Sequence, residues 1–139
     1  MKPYAKIQKP IKDFSIWHKR KSYLHNDKNR PFFHEREVWW CSLGANVGFE
    51  QDGTGKRFDR PVIIFKKFNN DIFWAIPLTS KLKKGKYYSK VCFGNDIKNT
   101  AILSQIRLVD AKRLLDKVGV ISASDYSVIK KAIVSLVEK

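Results

Sequence analysis

Residues 60–80 read RPVIIFKKFNNDIFWAIPLTS, and the architecture follows from how this stretch folds. Two short apolar runs, Val62–Phe65 and Ile72–Ile76, flank the polar triplet Asn69-Asn70-Asp71. β-Branched and aromatic side chains dominate both runs, which suits strands. Asn and Asp side chains bond their own backbone in tight turns. The stretch therefore predicts a hairpin with strands Val62–Lys67 and Ile72–Ile76, ended by Pro77-Leu78-Thr79-Ser80.

The flanks extend the same pattern. Upstream, Glu37-Val-Trp-Trp-Cys-Ser-Leu43 reads as a strand, followed by a long polar loop, Gly44 to Arg60, with glycines at 44, 48, 53 and 55. Downstream comes the basic loop Lys81-Leu-Lys-Lys-Gly-Lys86, then a strand from Tyr87 to Phe93. Asn95-Asp96 turns the chain, and Thr100 to Ile106 reads as its return. Asp110 is placed to cap a short helix, Ala111 to Lys117, with a short strand at Val118–Ile121. Ser122-Ala-Ser-Asp125 resembles a capping box, and Tyr126, Ile129, Ile133 and Leu136 share one face of a final helix. Short strands at close spacing, without alternating helices, predict a mainly β, α+β fold. Its form would be a small antiparallel barrel with short added helices and a C-terminal helix.

Residues 1–33 differ in kind. They are rich in Lys, Pro, Asn and His, and apolar residues are sparse. Ile11, Phe14, Trp17 and Leu24 fall at helical spacing, so a helix from Ile11 to His25 is expected, followed by a polar loop from Asn26 to Pro31. The expected division is a basic extension, 1–33, and a main domain, 34–139. The aromatics of this helix are expected to pack Phe14 and Trp17 on the main body.

The whole chain has 139 residues, with 28 Lys and Arg against 13 Asp and Glu, a formal charge of +15. Such a charge favours nucleic acid, an acidic protein or an anionic surface. The 43% apolar content fills a core without disulfides. No apolar run approaches a spanning helix, and the N-terminus has no apolar signal core. Cys41 and Cys92 fit neither a disulfide framework nor a zinc spacing, so a reducing cytoplasm is expected, with no cofactor or metal. His18, His25 and His34 all lie in the first quarter; His18 and His25 could share a helix face, more readily as solvated side chains than as an acid–base pair.

Three stretches place polar residues at strand ends, where a rigid scaffold presents chemistry. These are Gly48-Phe-Glu-Gln51 with Arg60-Pro61-Val62, then Pro77-Leu-Thr-Ser80, then Leu103-Ser-Gln-Ile-Arg107 with Asp110. Taken singly, each is accounted for by a turn, a cap or a surface pair of Arg60 with Glu50.

Together with Glu37-Val-Trp-Trp and the continuation to Arg113-Leu114, and in this order, they resemble the PemK/MazF-type toxins of bacterial type II toxin–antitoxin pairs. The resemblance runs from about Glu35 to Val137. It implies an SH3-like barrel, a homodimer, and a metal-independent, sequence-selective endoribonuclease acting on single-stranded RNA. It places the family's catalytic Arg on Arg60 and its catalytic Thr on Thr79, with Gln105 as a residue that orients the site. Glu50 and Gln51 match the loop that covers RNA. The chain departs from the family at Phe49, where Ser is usual, and in its lengthened loop Asp52–Asp59. Both features look like a subgroup that carries an N-terminal extension. A cognate acidic antitoxin is the implied partner, folding along the basic groove.

The residue types suit the chemistry. The substrate's own 2′-OH attacks the adjacent phosphorus, the 5′-oxygen leaves with a proton, and a dianionic phosphorane must be stabilised. Arg60 supplies a charged fork of donors and is a candidate proton donor. Thr79 donates to a non-bridging oxygen. The base is left open between Glu50, a water and Arg60. Lys56, Arg57, Ser80, Lys81, Lys83, Lys84 and Lys86 flank this centre and can track phosphates. Phe49, Phe58, Tyr87 and Tyr88 offer stacking surfaces. Competing readings are a barrel toxin that poisons gyrase by binding, a degenerate toxin that only binds RNA or antitoxin, and a basic DNA-binding protein, for which no helix-turn-helix signature exists.

Overall fold

The computed structural model describes residues 12–138. Within them, seven strands form one antiparallel sheet with two α-helices. The strands are β1 (Glu37–Ser42), β2 (Asp59–Lys67), β3 (Ile72–Thr79), β4 (Tyr88–Phe93), β5 (Ile97–Ile102), β6 (Arg107–Asp110) and β7 (Leu114–Val120). The helices are α1 (Phe14–Asn26) and α2 (Ala123–Glu138). Hydrogen-bonded order is β4-β5-β3-β2-β1-β7, with β6 beside the first half of β3. β4 and β7 meet without a ladder. There the backbones pass so closely that a Cβ on Gly119 would lie 2.8 Å from the nitrogen of Gly94. The expected α+β, barrel-like antiparallel architecture is what the chain adopts.

The hairpin of β2 and β3 is the centre of the sheet. Asn69 Oδ1 accepts from the N–H groups of Asp71 (2.8 Å) and Ile72 (3.0 Å), which closes the turn. β2 lacks polar alternation because both its faces are covered. Val62 and Ile64 join one core with Phe33, Trp39, Leu43, Phe73 and Val109. Ile63 and Phe65 join the other, with Leu78, Val91, Leu103 and Ile129. A strand buried on both faces reads as a continuous apolar run.

β3 changes partners along its length. Ile72–Ala75 pair with β6, and Leu78–Thr79 pair with β5. Pro77 falls between the two ladders, where a missing N–H costs no bond. Its register partner on β2 is Val62. Beyond that pair, Arg60 and Thr79 lie toward the same end of the hairpin.

Several local expectations are overturned, among them the end of the hairpin strand at Ile76, since β3 runs on to Thr79. The strand expected at Thr100–Ile106 runs instead from Ile97 to Ile102, and Leu103–Gln105 form a 3₁₀ turn that redirects the chain into β6. The helix expected at Ala111–Lys117 shrinks to a 3₁₀ turn, Ala111–Arg113, capped by Asp110 on the N–H of Lys112. The rest is β7, because it pairs with β1 along its length, with two irregularities in register, and buries Leu114 opposite Cys41. Tertiary pairing outweighs a weak local preference. Cys41 is fully buried, and burial pushes its thiol up to about 12.

α2 forms as expected. Ser122 Oγ accepts from the N–H of Asp125 at 3.0 Å. Asp125 does not return the bond; its carboxylate takes the N–H of Cys92 instead. Tyr126 donates to the carbonyl of Phe65 at 2.7 Å, and Ile129 is fully buried. α1 starts with Asp13 as cap on Ile16, and the expected start at Pro10 and Ile11 lies outside the described residues. Trp17 packs on the body as expected, but Phe14 stays exposed. Among the described residues no helix is long and apolar enough to cross a membrane.

Candidate functional site

Arg60 enters from the start of β2 and Thr79 from the end of β3. Both line a pocket of about 460 Å³, together with Trp40, Thr54, Asp59, Pro61, Ser80, Lys81, Ile97 and Asn99. The antiparallel register is the cause. It brings two residues far apart in sequence to one end of the hairpin.

Arg60 is half-buried and firmly held. Its Nε donates to the backbone carbonyl of Asp52 at 2.7 Å, and Nη1 donates to the carbonyl of Leu78 at 3.1 Å. With its amide oxygen turned toward Arg60, Gln51 accepts from Nε at 3.1 Å and from Nη2 at 2.9 Å. A guanidinium has five N–H groups. These partners leave one on Nη1 and one on Nη2 for a ligand. Burial lowers the pKa of Arg60, and the nearby charge of Asp52 works against that. An arginine starts so high that it stays charged.

Thr79 is buried at the pocket wall, and its Oγ1 accepts from the N–H of Lys81 at 3.2 Å. That bond occupies a lone pair and leaves the hydroxyl proton free to be donated.

Gln105 sits in the 3₁₀ turn after β5 and grips the facing loop. Its Oε1 accepts from the N–H of Gln51 at 3.1 Å, and its Nε2 donates to the carbonyl of Phe49 at 2.9 Å. Gln105, Glu50, Gln51, Asn46, Ser104 and Arg107 line a second pocket of about 340 Å³. The contact of Gln51 with Arg60 joins the two pockets. Glu50 is spoken for by its own loop, since Oε1 accepts from the N–H of Val47. Phe49 is fully exposed beside it.

The basic residues divide into two groups. Ser80 and Lys81 line the first pocket. Lys83, Lys84 and Lys86 are exposed, and Lys83 and Lys86 lie over the rings of Tyr88 and Tyr87, at 5.5 Å and 5.1 Å. Lys86, Tyr87 and Ser104 line a third depression against α2. Ser104 is common to the second and third, so the depressions adjoin. Arg57 is elsewhere: it is tied to Asp59 (2.7 Å) and to Asp116 on β7 (2.9 Å). Lys56 is exposed at the loop tip. Phe58 is not a free stacking surface, because it packs on Trp17 with ring centroids 5.3 Å apart. None of His18, His25 and His34 lines either of the first two pockets.

The model of a family described as the PemK-like, MazF-like toxin of type II toxin–antitoxin systems matches residues 34–137. The chain belongs to this family. Among similar solved structures is the crystal structure of MazF (Form-I) from Deinococcus radiodurans, with a TM-score of 0.60 and 15% identity, covering 81% of this chain and 100% of that one. Another is an endoribonuclease in complex with its cognate antitoxin from mycobacterial species, with a TM-score of 0.57 and 13% identity over 78% and 95% of the two chains. A third is MazE–MazF (Form-II) from D. radiodurans, at 0.55 and 12% identity over 79% and 97%. At these identities the likeness establishes the shared fold. No match was found among curated proteins.

For this member of the PemK/MazF family, sequence reasoning misses several residues of the pocket. Asp52 holds Arg60 through its backbone carbonyl, which no side-chain motif announces. Trp40 reads only as a strand residue, and Ile97 and Asn99 fall between the expected turn and the expected strand, yet all three line the pocket. Trp40 carries a signal, since its neighbour Trp39 is buried and alternation puts Trp40 on the opposite face.

Proposed function

We propose that this toxin is an endoribonuclease that cuts single-stranded RNA at selected sequences by attack of the 2′-OH. The carrying observation is the pairing of Arg60 and Thr79 in one pocket, each anchored yet each with a hydrogen-bond donor to spare. Arg60 then holds non-bridging phosphate oxygens and neutralises the phosphorane. Thr79 donates its hydroxyl proton to the same group. The 2′-OH passes its proton to water as its oxygen bonds to phosphorus, the bond from phosphorus to the 5′-oxygen breaks, and that oxygen takes a proton from water; the products are a 2′,3′-cyclic phosphate and a 5′-hydroxyl. Among the described residues, no three His, Cys, Asp or Glu are grouped to hold a metal ion. The reaction is written with the chain's own side chains.

The adjoining depressions from Arg60 past Gln105 to Lys86 and Tyr87 support a path for the strand. Lysines along it follow phosphates, and exposed rings stack bases. In this reading residues 1–33 are an appendage to a toxin domain spanning 34–139. The toxin acts as a cytoplasmic homodimer and is silenced by a cognate acidic antitoxin, as two of the similar structures contain an antitoxin. Such a partner competes with RNA by charge and by occupancy.

The test is cleavage of a mixed-sequence single-stranded RNA in EDTA. Wild type cuts, and Arg60→Ala and Thr79→Ala each lose about 10²–10³ in rate. Undiminished cutting by both variants would remove the assignment.

A further inference from the structure

We propose that the N-terminal helix is a latch that positions Arg60 through the loop Gly44–Gly53, with Lys12 and Trp17 as positioning residues. This rests on the reading of Arg60 as the phosphate-binding group. Lys12 and Trp17 both lie before residue 34, where the family match begins.

Trp17 is only 6% exposed and is seated on the root of the loop. A Cβ on Gly44 would fall 2.1 Å from Trp17 Cε2, and Gly44 has a φ of +91°, so only glycine fits there. Arg113 lies over the indole at 5.6 Å, and Phe58 flanks it. Gly44 in turn ties both ends of the loop. Its N–H donates to the carbonyl of Phe58 at 3.0 Å, and its carbonyl accepts from Gly53 at 2.9 Å.

Lys12 reaches further in. Its ammonium pairs with Asp52 Oδ2 at 2.9 Å and donates to the carbonyl of Asn46 at 2.5 Å. Asp52 Oδ1 accepts from the N–H of Asn46 at 2.6 Å. The backbone carbonyl of the same Asp52 holds Arg60 Nε. One residue therefore receives the latch on its side chain and fixes Arg60 on its main chain. Small errors in placing such a group are expensive, since a 1 Å shift can cost about 10²-fold in rate. An extension that merely covered apolar surface would need Trp17 but not Lys12.

The test uses the full chain. Lys12→Ala and Lys12→Arg are compared with wild type by amide hydrogen exchange over residues 44–53, by single-turnover cleavage with saturating protein, by RNA affinity and by thermal midpoint. Lys12→Ala speeds exchange at Asn46 and Gly53 and lowers the saturated rate by about 3- to 10-fold. Affinity and midpoint stay near wild type, and Lys12→Arg restores both exchange and rate. Trp17→Phe likewise speeds exchange over the loop, and it also lowers the thermal midpoint because it cuts back a buried ring. Three results would overturn the latch: unchanged exchange, faster exchange with an unchanged saturated rate, or loss of affinity alone, which would make Lys12 an RNA contact. Arg60→Ala is run alongside. If it cuts like wild type, the reading of Arg60 fails, while exchange over 44–53 still decides whether the helix holds the loop.

Discussion

Two loops frame the pocket, and they are built on opposite plans. The first, Gly44–Phe58, carries Glu50 and Asp52 against Lys56 and Arg57, so its formal charges cancel. It is tied down by Gln105, Lys12 and Trp17. The second, Ser80–Tyr87, carries Lys81, Lys83, Lys84 and Lys86 and no acid. Among the described residues none of those four lysines forms an ion pair, and two rest on tyrosine rings. One loop commits its polar groups to itself and to Arg60; the other leaves its charge to solvent. Under the proposed nuclease function, the difference separates two jobs. Placement requires fixed geometry, and attraction of a polyanion requires free charge.

The contrast is most sharply tested at its centre. Arg60→Ala removes the group that the first loop holds, and cleavage falls by about 10²–10³ while RNA affinity drops only a few-fold. Gln105→Ala releases Phe49 and Gln51 without touching Arg60 directly. It lowers the saturated rate by about 10-fold and leaves KM nearly unchanged, which steady-state kinetics on a short RNA resolves. The double variant Lys83→Ala, Lys84→Ala does the reverse: kcat holds and KM rises. In a salt titration, the slope of log affinity against log salt becomes shallower by about 0.7 for each phosphate that the variant no longer neutralises. Equal effects of the Gln105 and lysine variants on kcat would erase the distinction between the loops.

The smallest effect is on pH dependence. Glu37 is buried, which works to raise its pKa, but the donors Trp39, the His34 N–H and Lys117 outweigh this and hold it below 4.5. Asp110 is held below 3.8, chiefly by its bidentate bond from Arg30. A carboxyl lowered in the folded state stabilises fully above its ordinary pKa and loses that contribution as pH falls through the folded value. The thermal midpoint is therefore flat from about pH 7 to pH 5 and declines below about pH 4.5. A decline that began near pH 6 would point to a histidine instead.

The hairpin is plain in the sequence, whereas Arg60 and Thr79 stand out there only through the family resemblance; that they share one pocket is seen in the fold. The resemblance singles out Gln105, but nothing in the sequence shows its bonds to Phe49 and Gln51. What stays hidden has physical reasons. The grip of Asp52 on Arg60 runs through a main-chain carbonyl, which every residue possesses. Only the Val118 end of β7 reads as a strand; the start at Leu114 is concealed because it gains its conformation from pairing with β1. The seat of Trp17 on Gly44 joins residues that only the tertiary fold brings together. The charge of +15 names a polyanion but does not say that the loop nearest Arg60 contributes none of it.

The central claim is that the pocket of Arg60 and Thr79 cuts RNA through the substrate's own 2′-OH. The most direct measurement compares an all-RNA oligonucleotide with the same oligonucleotide carrying one 2′-deoxy nucleotide on the 5′ side of the scissile bond, both in EDTA. The account predicts equal binding, cutting of the first to a 2′,3′-cyclic phosphate, and no cutting of the second at that bond. Cutting of both at the same bond would contradict it.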